Sequence, residues 1–169
     1  MKTLVTYSTL TGNTKKVAEA IFEAVSGEKE LLPIKEVSNH ENYDKIIVGY
    51  WVDKGDANEE CKKFMDLLKN KKVGTFGTLG AYPDSDHSKN CVKKIGDSLR
   101  ENGNEVIAEF ICQGAIDPKL MDMMRKMGDK GPHAVNPERI ARWAEAAKHP
   151  NEDDFNNAKL QLEQIEKEF

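Results

Sequence analysis

The sequence predicts an α/β domain in which a parallel sheet lies between two layers of helices. Short apolar runs alternate with segments of helical periodicity, which is the order that strands and crossover helices take in this fold class. One run, Lys45–Tyr50, is apolar at nearly every position, as expected for a strand that helices cover on both faces. With 169 residues, the chain is long enough to bury a core without disulfides or metals.

Five runs have the length and composition of strands: Lys2–Tyr7, Leu31–Ile34, Lys45–Tyr50, Val73–Leu79 and Glu105–Cys112. Pro33 has no backbone N–H to donate, so we expect the second run at an edge of the sheet. The fourth run contains Gly74 and Gly77, which indicates that another group approaches it closely.

Five segments have the apolar spacing of helices: Asn13–Val25, Ala57–Asn70, Ser88–Asn102, the stretch after Asp117-Pro118, and Pro137–Lys148. Gly27 and Gly103 end the first and third segments, and Pro137 suits the first turn of the last. One apolar stripe is predicted to be core rather than a partner surface: Leu120, Met121, Met123, Met124 and Met127.

The net charge of −4 comes entirely from the end of the chain. Residues 151–169 carry six acidic and two basic side chains, whereas residues 1–150 are balanced. Apolar residues such as Phe155, Ala158 and Leu162 recur in this tail at near-helical spacing, with Ile165 and Phe169 continuing the series. We therefore predict a domain over residues 1–150 followed by an acidic amphipathic helix, with a disordered tail as the alternative.

Composition excludes several classes of function. No basic excess or Lys/Arg-rich run supports nucleic-acid binding, and no apolar stretch reaches the 18 residues of a membrane span. The chain opens directly into a strand without a signal-peptide pattern, so we expect a cytoplasmic protein.

The chain has three widely spaced cysteines, and its four histidines lack the spacing of metal ligands. This predicts a reducing compartment, no disulfide framework and no metal site.

The loop after the first run carries the first sign of a ligand. Ser8–Thr14 contains four hydroxyls and an amide at the start of a helix, where free N–H groups and the helix dipole favour an anion. The loop has no lysine or arginine, and the chain lacks GxxxxGK[ST] and GxGxxG. A single phosphate monoester fits better than a nucleoside triphosphate. The alternative is that these residues only cap the helix.

The same loop carries a family resemblance. Thr9-x-Thr11-Gly12-Asn13-Thr14, directly after the first strand, resembles the T/S-x-T-G-x-T phosphate loop of flavodoxins. The likeness covers about the first two thirds of the chain. It implies a three-layer flavodoxin-like fold, with a five-stranded parallel sheet of order 2-1-3-4-5 and helices on both faces. It also implies that FMN binds through Ser8, Thr9, Thr11, Gly12, Asn13 and Thr14.

Two further loops match the places where flavodoxins contact the flavin ring. In the loop after the third strand, Trp51 would stack on the ring beside Val52 and Asp53, and the peptide at Gly55 would change orientation when the flavin gains a proton. After the fourth strand, the resemblance implies that Gly80, Ala81 and Tyr82 contact the ring, with the Tyr82 side chain coplanar with the flavin. The alternatives are a core position for Trp51 and a plain surface turn at Tyr82.

The resemblance implies an electron-transfer protein in which FMN, rather than a catalytic side chain, performs the chemistry. Such a carrier would shuttle single electrons between redox partner proteins. Residues 51–60 and 80–87 together carry a net charge of −5, so we expect an acidic rim around the flavin. One alternative is an FMN-dependent NAD(P)H oxidoreductase acting on a quinone or tetrapyrrole-like substrate. Another is a flavodoxin-like module that binds a partner without turnover.

Overall fold

Strands and helices alternate along the chain in the computed structural model, which describes residues 1–128, 131–132 and 134–166, apart from the side chains of residues 164 and 165. The strands are β1 Lys2–Tyr7, β2 Glu28–Pro33, β3 Lys45–Asp53, β4 Asp56–Ala57, β5 Lys72–Leu79 and β6 Glu105–Gln113. The helices are α1 Asn13–Ala24, α2 Glu59–Leu67, α3 Asp86–Glu101, α4 Pro118–Lys126, α5 Pro137–Ala146 and α6 Glu152–Glu166.

The main strands form one parallel sheet in the order β2-β1-β3-β5-β6. The predicted order 2-1-3-4-5 is confirmed, because the additional strand β4 only forms a short antiparallel hairpin with the end of β3. Pro33 lies on the edge strand β2, as predicted. This strand begins earlier than predicted, at Glu28, because Lys2 on β1 pairs with Glu28 and Glu30 and so places charged side chains at strand positions.

Helices cover both faces of the sheet and divide the core in two. On one face Ile46, Val48 and Tyr50 of β3 pack under α2 and α3. On the other face Ile47 packs with Val17 of α1 and with residues of α6. Strand β3 is therefore buried on both sides, which explains its continuous apolar sequence.

Glycines and aromatic rings interlock between β3 and β5. Gly49 lies opposite Phe76 and Tyr50 opposite Gly77. A Cβ atom on Gly49 would lie 2.2 Å from the Phe76 ring, and one on Gly77 would lie 2.5 Å from the Tyr50 ring. The group that approaches the glycine-rich strand is therefore an aromatic ring of its neighbour, and the fit fixes the register of the two strands.

The acidic end of the chain forms helix α6, which packs against α1. Ala158 and Leu162 are buried in the core under this helix, while Lys159 pairs with Glu23 and Gln161 donates to the Glu109 carbonyl of β6. The predicted apolar position at residue 169 lies outside the described residues, as does the side chain of residue 165. Within the described part of the chain, no helix has the length and hydropathy to cross a membrane.

The methionine stripe on α4 is not core, so that prediction was wrong. None of the residues of α4 is buried, and Met123 and Met127 are 54% and 61% exposed. The physical reason is that α1 and α6 already cover this face of the sheet, which leaves α4 no apolar surface of the sheet to bury against. Helices α4 and α5 lie between β6 and α6 in the chain, and α5 buries Trp143 and Ala146.

Replacing Leu162 with alanine will test whether α6 is part of the core. Leu162 is 6% exposed, so we expect Leu162→Ala to lower the free energy of unfolding by about 3 kcal/mol. Leu160 lies on the same helix but is 55% exposed, and Leu160→Ala should change the same quantity by less than about 0.5 kcal/mol. Chemical denaturation of the full chain measures both, and equal effects would show that α6 does not bury Leu162.

Stability should also depend on pH through His149, at the junction of α5 and α6. Burial lowers the pKa of this imidazole, but hydrogen bonds to Asp154 and Glu145, at 2.7 and 3.2 Å, outweigh burial and raise the pKa above its usual value. The stabilisation is complete below about pH 6.5, the ordinary histidine pKa, and is lost as the pH rises through the folded value. We expect the difference in free energy of unfolding between the parent protein and His149→Gln to shrink from pH 5.5 to pH 8.5 in denaturation experiments. A growing advantage would contradict this assignment.

Candidate functional site

A cleft of about 580 Å³ opens at the carboxyl edge of the sheet. It is lined by the loops that follow β1, β3, β5 and β6, together with residues of α4 and α5. Since the carboxyl ends of parallel strands meet at one edge, four loops that are distant in sequence come together here. The volume lies within the usual range for small-molecule sites.

The loop between β1 and α1 leaves the start of the helix open to an anion. Gly12 occupies the N-cap position with a left-handed φ of +96°, and no side chain caps the helix. Nothing lies within 4 Å of the point where a Cβ atom would stand on Gly12, and the first turn of α1 carries no acidic residue. The free N–H groups and the dipole of α1 therefore suit a phosphate group.

Side chains of the same loop fix its position against neighbouring strands. Asn13 donates its amide to the Ala115 carbonyl at 2.8 Å, and the Thr14 and Thr78 hydroxyls pair at 2.9 Å in a buried position. Thr9 accepts from the Gly12 N–H at 3.0 Å and closes the turn. These contacts shape the loop before any ligand binds, so its N–H groups are preorganised.

Asn58 joins this loop to the loop after β3. Its side-chain amide donates to the Ser8 hydroxyl at 3.0 Å and accepts from the Trp51 N–H at 3.2 Å. Its own N–H donates to the Trp51 carbonyl at 3.0 Å. Because Asn58 is only 3% exposed, one buried side chain sets the positions of both Ser8 and Trp51. The sequence analysis began this helix at Ala57, whereas α2 begins at Glu59 after Asn58, and the role of Asn58 was missed.

The turn beyond Trp51 is a two-residue hairpin. Asp53 pairs with Asp56, and the two central residues, Lys54 and Gly55, have φ values of +50° and +78°. Positive φ at both positions defines a type I′ turn. Reversing the central peptide would give a type II′ turn, which favours glycine at the position that Lys54 occupies. The local sequence therefore disfavours the change of orientation predicted for Gly55.

Three Trp or Tyr side chains are among the described residues that line the cleft: Trp51, Tyr82 and Trp143. Trp51 is half-buried and belongs to neither core cluster, and Tyr82 is exposed on the loop after β5. A Cβ atom on Gly80 would lie 2.7 Å from Ile116, so this glycine permits the close approach of the loop after β6. The cleft thus combines a helix start that suits an anion with indole and phenol side chains.

Comparison with known protein families shows which family this chain belongs to. A family model described as a flavodoxin domain matches residues 4–163. The chain belongs to the flavodoxin family. The flavodoxin-like domain-containing protein BilS of Clostridioides difficile (strain CD3) is 34% identical over 165 residues, which cover 95% of this chain and 93% of that protein.

Solved flavodoxin structures share the fold. Oxidised flavodoxin 2 from Bacillus cereus superposes with a TM-score of 0.64 at 19% identity and full coverage of both chains. A flavoprotein from Lactobacillus acidophilus NCFM, solved in complex with FMN, has a TM-score of 0.53 at 22% identity. It covers 72% of this chain and 97% of its own. At these identities the likeness concerns the fold.

The flavodoxin cleft brings most of the predicted site residues together. Those that line it are Thr9, Thr11, Asn13, Thr14, Trp51, Val52, Asp53, Gly80, Ala81 and Tyr82. Ser8 lies behind the loop against Asn58, Gly12 forms the helix cap, and Gly55 lies at the hairpin tip, where a Cβ atom would be 3.7 Å from His87. Their roles toward a cofactor stay predictions.

Sequence reasoning missed the wall of the cleft formed by the loop after β6 and by α5. The rule that ligands bind after the strand ends applied to Gly114–Asp117 and was the available signal. Arg139, Arg142 and Trp143 follow one face of a helix at spacings of three and four residues. That spacing does not reveal which surface the helix faces.

The described lining of the cleft is not acidic, contrary to expectation: of the six acidic residues counted for the rim, it includes only Asp53. Charged residues that line the cleft in the described part of the chain are Asp53, Asp117, Lys54, Arg139 and Arg142, a net charge of +1. Asp56 instead pairs with Lys62 and Lys94 at 2.9 and 2.7 Å, outside the cleft. Burial opposes ionisation of Asp56, but both lysines outweigh it and lower the pKa of this carboxyl. Adding charges along the sequence overlooked these pairs.

Replacing Asn58 will test the tie between the two loops. Asn58→Ala leaves the Ser8 hydroxyl and the Trp51 N–H without their buried partner, so we expect the free energy of unfolding to fall by about 2 kcal/mol. Asn157→Ala, at an exposed position of α6, should change it by less than about 0.5 kcal/mol. Thermal and chemical denaturation measure both. Equal, small effects would show that the Asn58 bridge does not stabilise the site.

Proposed function

We propose that this flavodoxin-family protein binds FMN in the cleft and transfers electrons through it. The observation that carries the proposal is the pairing of an uncapped helix start with aromatic side chains in one cleft. The first suits a phosphate and the second suits a flat, apolar ring. The fold shared with a flavoprotein solved in complex with FMN supports the same ligand.

The phosphate loop supports a mononucleotide rather than a dinucleotide. The N–H groups at the start of α1, with the hydroxyls of Thr9 and Thr11, would hold one phosphate dianion. No lysine or arginine lies within residues 8–14, and the chain has no GxGxxG fingerprint for a pyrophosphate. The hydroxyl and amide donors therefore bind a terminal phosphate without further cations from this loop.

The chain's own residues would orient the ring and set its surroundings. FMN, when bound, accepts and donates one or two electrons. Trp51 offers its indole face to the ring, and Tyr82 covers it from the loop after β5. Lys54, Arg139 and Arg142 favour negative charge in the cleft, which an acidic rim would have opposed. These cations should make reduction of the bound cofactor easier.

The electron partners follow from exposure of the cleft. Tyr82 is exposed at its mouth, so a redox partner protein can approach it closely. We propose single-electron exchange with such proteins in the reducing cytoplasm, and the three buried free cysteines agree with that compartment. Extension of the cleft to α5 favours a second candidate, an FMN-dependent NAD(P)H oxidoreductase with an organic substrate.

Direct titration with flavins tests the proposal. The purified chain should be yellow or should bind added FMN, and riboflavin, which lacks the phosphate, should bind at least about tenfold more weakly. Trp51→Ala should weaken FMN binding about tenfold, whereas Trp51→Phe should stay within about threefold. Absorption and fluorescence titrations measure these affinities. A colourless protein that ignores added FMN would overturn the proposal.

Rapid mixing separates the two candidate roles. If the FMN-loaded protein is an electron carrier, NADH and NADPH should bleach its flavin absorption only after a reductase is added. Fast bleaching without a reductase would identify the oxidoreductase.

A further inference from the structure

We propose that the end of the cleft formed by α4 and α5 is a second ligand subsite, which binds a planar organic anion through Arg139 and Arg142. The ligand class is an aromatic body that bears carboxylate groups. If the bound anion accepts electrons, it does so from FMN, so that role rests on the proposed function. The binding subsite itself rests on the side chains described below.

Among the residues that the structure describes, Arg139 and Arg142 lack the carboxylate partners that Arg100 and Arg125 have. Arg100 pairs with Glu109 at 2.9 Å, and Arg125 pairs with Asp122 at 3.4 Å. No hydrogen bond or ion pair joins the guanidinium of Arg142 to another described residue. Among the described residues, the Arg139 guanidinium contacts two neutral groups: the Met124 sulfur at 3.6 Å and the Pro132 carbonyl at 3.2 Å. No described carboxylate therefore neutralises either guanidinium, and both can attract an anion.

The positions of these arginines favour one shared ligand. They lie three residues apart on α5, so their side chains share a face of the helix, and both line the same cleft. Both are half-buried, which removes part of their hydration. Two guanidiniums on one face suit carboxylate groups, since each presents a planar fork of N–H donors.

The remaining walls of the subsite are apolar and aromatic. Trp143 follows Arg142 on α5, and its indole is buried with Arg125 stacked over it at 5.5 Å. Leu120 and Met124 of α4 line the cleft beside it. These surfaces suit the flat hydrocarbon part of a ligand, and the flexible thioether of Met124 adapts to its outline.

Among the described lining residues, acidic side chains do not neutralise this end of the cleft. Asp117 is the acidic residue at the start of α4, and its carboxylate accepts from the Lys119 N–H at 2.9 Å as the cap of that helix. Asp53, the other acidic residue among the described lining, lies on β3 with Lys54 next to it. An anion bound by Arg139 and Arg142 therefore meets a net attractive field.

Titration calorimetry on the full chain loaded with oxidised FMN tests the subsite. The probe is anthraquinone-2-carboxylate, and its matched neutral ligand is 2-(hydroxymethyl)anthraquinone. We expect the carboxylate to bind about tenfold more tightly, with an affinity that falls as salt rises. Arg139→Gln and Arg142→Gln should each weaken the carboxylate about tenfold and change the neutral ligand less than about twofold.

The matched control is Lys126→Gln, which removes one positive charge from the end of α4 without touching the cleft lining. It should leave both affinities within about twofold of the parent protein. Circular dichroism and thermal unfolding of each variant check that the fold is intact. Separate FMN titrations should show cofactor affinity within about threefold of the parent for all variants.

Two results would overturn the inference. Equal affinity for the charged and neutral probes would show that the arginines do not select an anion. Loss of FMN affinity in both arginine variants, without a change in probe discrimination, would assign the guanidiniums to the cofactor phosphate. If the chain binds no FMN but keeps arginine-dependent binding of the carboxylate, the subsite stands and the proposed function fails.

Discussion

Two asparagine side chains tie the loops at the carboxyl edge of the sheet together, and the shape of the cleft depends on them. Asn58 links the loop after β1 to the loop after β3, and Asn13 links the loop after β1 to the loop after β6. Loops at a sheet edge are otherwise free to move independently, because few apolar contacts restrain them. Side-chain amides can bridge backbone and hydroxyl groups on two loops at once. These bridges hold the uncapped start of α1 in a fixed position relative to the other loops.

The sheet beneath these loops determines which side chains reach them. Gly49 opposite Phe76 and Tyr50 opposite Gly77 leave little freedom for the register between β3 and β5. A shift by one residue would drive each ring into a neighbour's backbone and exchange the two faces of β3. With Tyr50 fixed in the core, the alternation of the strand directs Trp51 to the opposite face, where it lines the cleft. The interlocked core thus positions an aromatic wall of the site.

Features encoded over a few residues could be predicted from the sequence. The phosphate loop, the edge position of Pro33 and the helical spacing around Ala158 and Leu162 depend on local chemistry, and the structure has each where the sequence placed it. The environment of α4 could not be predicted this way. A methionine stripe has the same sequence pattern whether it faces a core or solvent. The exposure of α4 depends on α6, which lies about 30 residues later in the chain and covers that face of the sheet.

The net charge of the cleft could not be predicted from the sequence either, because it depends on which charged side chains the fold brings together. Asp56 lies only three residues from Asp53 on the hairpin, yet Lys62 and Lys94 neutralise it outside the cleft. Of these two carboxylates, Asp53 is the one that lines the site. Arg139 and Arg142 come from a helix far along the chain and reverse the sign of the lining. Charge interactions at a half-buried site depend on distance and solvent exposure rather than on sequence separation. Helix α5 therefore gives this flavodoxin cleft a basic end without altering the loop motif that marks the family.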